Sequence, residues 1–247
     1  MSTVAQAPPG STSIPIARPL GVLASGIVAG AIAGFIAGGI GSRAAMRILA
    51  LTSPDAGGAT TEAGATVGDI SAGGTLFLLL AGTALGLGGG LAYIAVRRWL
   101  PRRATGVVFG LLLLALSGRP LVHPDNVDFI ILEPAWLGIA LFASLPILFG
   151  LLVVPLQARL EPLFTAERSR LWTVVVVGAG LLPLALGGPV ALVLAVLVAL
   201  GLIMARSEGL RDAWNAPPVD TLGRVLLTIL GLFGLVMFSR GAIQILF

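Results

Sequence analysis

Residues 20–51, LGVLASGIVAGAIAGFIAGGIGSRAAMRILAL, decide how the rest of the chain is read. The run up to Gly41 is uncharged, and a helix needs about 20 apolar residues to cross a hydrocarbon core of ~30 Å. A membrane span is therefore predicted over residues 20–41. Gly26, Gly30, Gly34, Gly38 and Ser42 put a small residue at every fourth position along one face of that helix. Lipid gives helices no hydrophobic drive to associate, so close backbone approach over small side chains must supply the packing. Arg43 and Arg47 follow, one helical turn apart, sharing a face turned away from Gly38 and Ser42. At ~1.5 Å per residue, Arg43 falls at about the membrane boundary and Arg47 a turn beyond it.

Composition supports the same reading. The chain has 247 residues, of which 57% are apolar and 11% charged, and its mean hydropathy is +1.03. Soluble domains carry roughly a quarter charged residues. All 15 basic residues are arginine, an Ala/Gly/Leu/Arg vocabulary that suggests a high-GC genome. The formal charge of +4 reads as membrane topology and not as affinity for nucleic acid. The absence of cysteine removes disulfides, thiol redox chemistry and cysteine–metal sites, and the absence of lysine removes retinal or pyridoxal Schiff bases. One histidine, His123, cannot supply two axial ligands to a haem. No cofactor is expected.

Working outward, seven segments approach the length of a span: 20–41, 75–96, 104–118, 135–156, 172–187, 189–205 and 222–245. Gly187, Gly188 and Pro189 separate the fifth from the sixth as a tight hairpin, the alternative being one kinked span and six crossings. Residues 1–19, rich in Pro, Ser and Thr, read as a disordered tail ahead of a single transmembrane domain over 20–247. The tail lacks a basic start and a cleavage site, so the first span is expected to be a retained anchor. The expected fold is an all-α polytopic bundle. Arg97, Arg98, Arg102 and Arg103 crowd one short connection, which the positive-inside rule places in the cytoplasm. Counting outward from it, Arg18, Arg159, Arg168, Arg170, Arg206, Arg211 and Arg224 share that side, and the N-terminus is cytoplasmic. Arg43, Arg47, Arg119 and Arg240 fall outside.

Two further glycine stripes, Gly82, Gly86 and Gly90 in the second span and Gly106 and Gly110 in the third, repeat the device of the first. They predict a packed core of helices one to three, with a homodimer or membrane-partner face as the alternative. The glycines of the two halves do not match, so inverted-repeat transporter logic has no footing.

The outer side is where function could reside. An arginine near mid-membrane costs ~3 kcal/mol or more, so Arg43, Arg47, Arg119 and Arg240 are expected to be paired, hydrated or snorkelling. One outer loop carries Asp55, Glu62 and Asp69, and the other His123, Asp125, Asp128 and Glu133, with Pro124, Asp125 and Asn126 forming a turn signature. Three readings stay open for this patch: lipid phosphates meeting snorkelling arginines, an ion-pair network pinning the loops, or recognition of an anionic lipid or small anion, whose oxyanions suit the guanidinium fork. His123, Asp125 and Asp128 have the chemistry of metal ligands without a recognised spacing. Ser117 has no nucleophile elbow, and the glycine run 86–90 lies within a span, where a dinucleotide fingerprint has no meaning. The spans hold no acidic residue, with polarity assigned to Thr83, Tyr93, Ser144 and Thr228, which argues against a proton- or sodium-coupled pump.

GSRAAMRILAL, GDISAGGTLFLLLAGTALGLGGGLAYIAVRRWLP, PDNVDF and a proline-containing fourth helix together resemble a group of uncharacterised multi-pass membrane proteins of high-GC bacteria, over roughly residues 20–160. The resemblance implies residence in a bacterial plasma membrane and no particular activity. Three functions follow as expectations. The first is binding or moving an anionic lipid or small anion through Arg43, Arg47, Arg119 and Arg240 with Glu62, Asp69, Asp125 and Asp128. The second is a structural or assembly subunit using the glycine faces, and the third a membrane hydrolase or transferase using Glu62, Asp69, His123 or Asp128.

Overall fold

The computed structural model describes residues 17–62, 64, 66–69, 71–166, 176–177, 209 and 216–247. Among them there is no β-strand, only an isolated bridge between Thr60 and Thr66. The elements are α1 (Ala17–Gly34), a π-helical stretch (Phe35–Gly41), α2 (Ser42–Thr52), a 3-10 turn (Pro54–Ala56), α3 (Ala72–Val96), α4 (Thr105–Leu121), the short α5 (Asp128–Ile131), α6 (Ala135–Thr165) and α7 (Pro217–Leu246). Four helical stretches are long and apolar enough to cross a membrane: Pro19–Thr52, Ala72–Val96, Ala135–Thr165 and Pro217–Leu246. α4 contributes a shorter apolar stretch, Thr105–Gly118. The spans expected at 172–187 and 189–205 lie outside the described residues, as do residues 1–16 of the expected tail.

Helix boundaries depart from the expected spans in a consistent direction: the helices run on past the apolar segments. Residues 17–19, assigned to the tail, already form the first turn of α1, where Pro19 gives up no intrahelical hydrogen bond. At the other end the helix does not stop at residue 41. It widens through one π-helical stretch and continues to Thr52, because Ala44, Ala45, Met46 and Leu49 are good helix formers and the first breaker is Pro54. α6 likewise passes the expected end at 156 to reach Thr165, with Pro146, Pro155 and Pro162 inside it. Membrane helices tolerate such prolines when neighbouring groups satisfy the freed carbonyls.

The glycine stripes of α1 and α3 face each other. A Cβ placed on Gly30 would lie 2.8 Å from the Gly90 Cα, one on Gly34 2.6 Å from the Gly86 Cα, and one on Gly38 2.9 Å from the Gly82 Cα. On Gly26 it would meet Ile94 and, at 3.2 Å, the Gly90 carbonyl oxygen. No real Cβ fits in such gaps, so the two backbones touch along four turns. The third stripe does not join this core. Gly106 and Gly110 of α4 pack on α6, where a Cβ on Gly106 would lie 3.0 Å from the Gly150 carbonyl oxygen and one on Gly110 2.6 Å from the Ile147 Cα. A core of helices one to three is thus corrected to two glycine seams, α1 on α3 and α4 on α6.

Those seams are joined by α6 lying on α1 and by α7 lying on α4, so the neighbour order is α3, α1, α6, α4, α7. Ala29, Ala33 and Ala37 of the first rod, Tyr93, Phe109, Phe149 and Val153 form the central cluster. Phe109 is in ring contact with both Tyr93 and Phe149, at centroid distances of 5.3 and 6.5 Å. On α7, by contrast, Leu222, Leu226, Ile229, Leu232 and Phe233 are each 59–64% exposed. Such a continuous apolar face suits lipid and would be an association hazard in water.

Candidate functional site

The bundle has two unlike ends. Arg43, Arg47 and the loops 53–71 and 122–134 lie at one, and the connection 97–104 with the start of α7 lies at the other. At the loop end, the π-helical stretch delivers α2 over the first turn of α3. There Arg43 Nη2 donates to the Ser71 carbonyl oxygen at 3.3 Å, while the Ser71 hydroxyl caps α3 by accepting from the Gly74 N–H at 3.1 Å. The guanidinium therefore sits against a helix N-terminus, which itself carries about half a positive charge. Arg43 Nε is buried and has no hydrogen-bond partner. Arg43 and Arg47 together line a cavity of about 370 Å³ whose other walls are Ile40, Ala44, Met46, Ala50, Gly68 and Thr75. Neither arginine forms an ion pair among the described residues.

Two of the loop carboxylates, Glu62 and Asp128, are engaged elsewhere. Asp128 Oδ1 accepts the Glu62 N–H at 2.8 Å, and Glu62 Oε2 accepts the Val127 N–H at 3.1 Å, a reciprocal clasp between the two loops. His123 Nε2 lies 3.9 Å from the other Glu62 oxygen. Ser53 completes the tie, its hydroxyl donating to the Glu133 carbonyl oxygen at 2.7 Å and accepting the Glu133 N–H at 2.8 Å. Asp69 and Asp125 are exposed and form no ion pair among the described residues. Arg119 lies in the last turn of α4, and Arg240 is exposed on α7, at the opposite flank of the helix row from Arg43. The structure thus brings Arg43 and Arg47 together, joins Glu62 to Asp128 and His123, and leaves Arg240 apart from both groups. Among the described residues no three of His, Asp and Glu cluster as a metal would require.

The arginine–carboxylate pairs are at the other end. Arg97 Nη1 meets Glu161 Oε2 at 2.6 Å, and Arg98 grips Asp220 Oδ1 through Nε at 2.9 Å and through Nη2. Gln157, 2% exposed, donates from its amide nitrogen to Glu161 Oε2 at 2.6 Å and to the fully buried Ser25 hydroxyl at 3.2 Å. Ser25 in turn donates to the Val22 carbonyl oxygen at 2.8 Å. A polar chain therefore runs from α1 through α6 to the end of α3. The sequence carried a signal for it: Ser25 lies inside the first span, and Gln157 and Glu161 are one turn apart. Both escape notice when spans are ended where hydropathy falls.

The described chain is an all-helical protein with four helices fit to cross a membrane, and two arginines without an ion pair among the described residues, Arg43 and Arg47, share a cavity beside a helix N-terminus. Comparison with protein-family models, with curated proteins and with solved structures finds no match.

Proposed function

We propose that this is a multi-pass protein of a bacterial plasma membrane, of about seven spans with a cytoplasmic N-terminus, that binds or moves an anionic lipid or small anion at Arg43 and Arg47. One observation carries the reading: the Arg43 Nε is buried without a hydrogen-bond partner, the Arg43 side chain lines a cavity together with Arg47, and no described carboxylate forms an ion pair with either. A buried guanidinium nitrogen left unbonded is costly, and an oxyanion in the cavity would remove that cost while also meeting the positive end of α3. The apolar walls from Ile40, Ala44 and Met46 suit the part of a lipid next to its phosphate as well as they suit a desolvated small anion. An ion-pair network draws no support here, since no described carboxylate pairs with Arg43 or Arg47, and Glu62 and Asp128 accept backbone N–H groups across the two loops. The assembly reading loses its surface, because the glycine faces of α1 and α3 are filled by one another.

Native mass spectrometry of gently purified protein tests this. The wild-type chain is expected to retain an anionic adduct that the Arg43→Ala, Arg47→Ala double variant lacks. Identical spectra for the two would sink the proposal.

A further inference from the structure

A second groove lies between α4 and α7, at the end of the bundle opposite Arg43. α7 is held at two points, against the 97–104 connection and against α4. Gly223 of α7 is pressed against the indole of Trp99, and a Cβ on Gly234 would lie 2.7 Å from the Ala115 Cβ. These contacts are about three turns apart, roughly 16 Å at 1.5 Å per residue. Between them a Cβ on Gly231 would meet only the Leu112 Cδ1, at an ordinary contact distance of 3.7 Å, and both residues line an open groove. The open groove encloses about 810 Å³. Its walls are Val108, Leu111 and Leu112 of α4 and Leu227, Leu232 and Leu235 of α7. Its mouth is set by Arg97, Arg98, Arg102 and Arg224.

Among the described residues the charge of the mouth is not balanced. Arg97 and Arg98 hold Glu161 and Asp220, whereas Arg102 and Arg224 are exposed and form no ion pair among the described residues. We propose that this groove is a binding site for one anionic phospholipid, with its headgroup between Arg102 and Arg224 and an acyl chain laid between α4 and α7. Both halves of the shape are needed for that assignment. A free phosphate would satisfy the guanidiniums but leave some 16 Å of apolar wall without a partner. A zwitterionic lipid would fill the wall but bring a cation of its own to an already basic mouth. The mouth lies on the short connection between two apolar helices, at headgroup level, where basic pockets between membrane helices take anionic headgroups. The inference rests on membrane residence and is independent of the Arg43–Arg47 site.

Full-length protein carrying Arg43→Ala and Arg47→Ala, so that the cavity at α2 contributes no anion, is exchanged into nanodiscs of equal phosphatidylglycerol and phosphatidylcholine and released for native mass spectrometry, which reads the selectivity of the groove directly. Phosphatidylglycerol is expected to be retained over phosphatidylcholine by roughly tenfold, as two interfacial arginines allow. Arg102→Gln with Arg224→Gln should bring the ratio close to one. Gly231→Leu, which adds bulk where the space is open, should remove the retained lipid with all four arginines in place. Millimolar inorganic phosphate should not displace the lipid. Equal retention of the two lipids in the Arg43, Arg47 background, phosphatidylglycerol selectivity surviving the added Arg102 and Arg224 substitutions, or displacement by phosphate would each overturn the assignment. Unfolding midpoints of the variants near that of wild type separate lost binding from lost fold.

Discussion

Gln157 sits where two kinds of polar group meet, and its surroundings set what its loss should cost. Its amide nitrogen serves both Ser25 and Glu161, yet each of those keeps another partner, the Val22 carbonyl for the serine and the Arg97 guanidinium for the glutamate. Gln157→Leu should therefore cost only about 1 kcal/mol, near the average for a hydrogen bond between membrane helices. Glu161→Leu is a different matter, because it removes the ion-pair partner of Arg97 and leaves Gln157 only Ser25. With both ionic side chains about 30% exposed, a loss of about 2 kcal/mol is expected in place of the larger figure for a fully buried pair. Thermal unfolding in detergent should rank the two variants in that order, and a Gln157→Leu loss equal to that of Glu161→Leu would mean the network is not branched as drawn. The same residues show where hydropathy stops being informative. A span is ended in sequence where charge begins, but a helix ends only where its backbone is broken, and α6 has no break before Thr165. Polar groups on that overhang are therefore counted as loop when they are in fact held by packed helices.

At the scale of the element, a small-residue stripe reveals a face without revealing what covers it. The stripe of α1 could be matched to that of α3 because both are long and share the four-residue period, and the backbones do meet there. Gly106 and Gly110 give no such hint, since their counterpart on α6 is the lone Gly150 within a leucine-rich run. The widening at residues 35–41 was equally illegible: three glycines mark a weak point, but the sequence does not say whether the helix there would stop, kink or widen. That ambiguity decides the candidate site, because the turn of the helix past Gly41 is what lays Arg43 over Ser71. The seam itself makes a graded prediction. Gly86→Val would drive its side chain into Gly34, where even a Cβ comes 2.7 Å from the Cα, so overpacking of about 3 kcal/mol or more is expected. Gly73→Ala, in the first turn of the same helix with nothing within 4 Å, should be neutral or raise stability by a few tenths of a kcal/mol. Unfolding midpoints that failed to separate these two glycines would show that α1 and α3 do not bear on each other as described.

Across the whole molecule, the two ends differ in what their carboxylates do. At the arginine-rich end Glu161 and Asp220 bond guanidiniums, while at the loop end Glu62 and Asp128 bond backbone N–H groups and hold the two loops to each other. The composition of the ends was legible from charge spacing alone; the partners were not, because pairing depends on which helices become neighbours. The loop clasp fixes a consequence that can be tested without knowing the ligand. In the proposed membrane topology, residues 53–71 and 122–134 lie on one side and the connection 97–104 on the other, since one helix, α3 or α4, separates it from each loop. Four arginines in that short connection should keep it cytoplasmic. The chain has no cysteine, so Asp55→Cys, Asp125→Cys and Arg102→Cys each give a single thiol at an exposed position. In intact cells a membrane-impermeant maleimide should label the first two alike and spare the third, which should react only in inverted vesicles. Labelling of Arg102→Cys alone would reverse the orientation and leave the bundle standing. Labelling of one loop position without the other would break the clasp between the loops, and with it the enclosure that keeps Arg43 and Arg47 beside the first turn of α3.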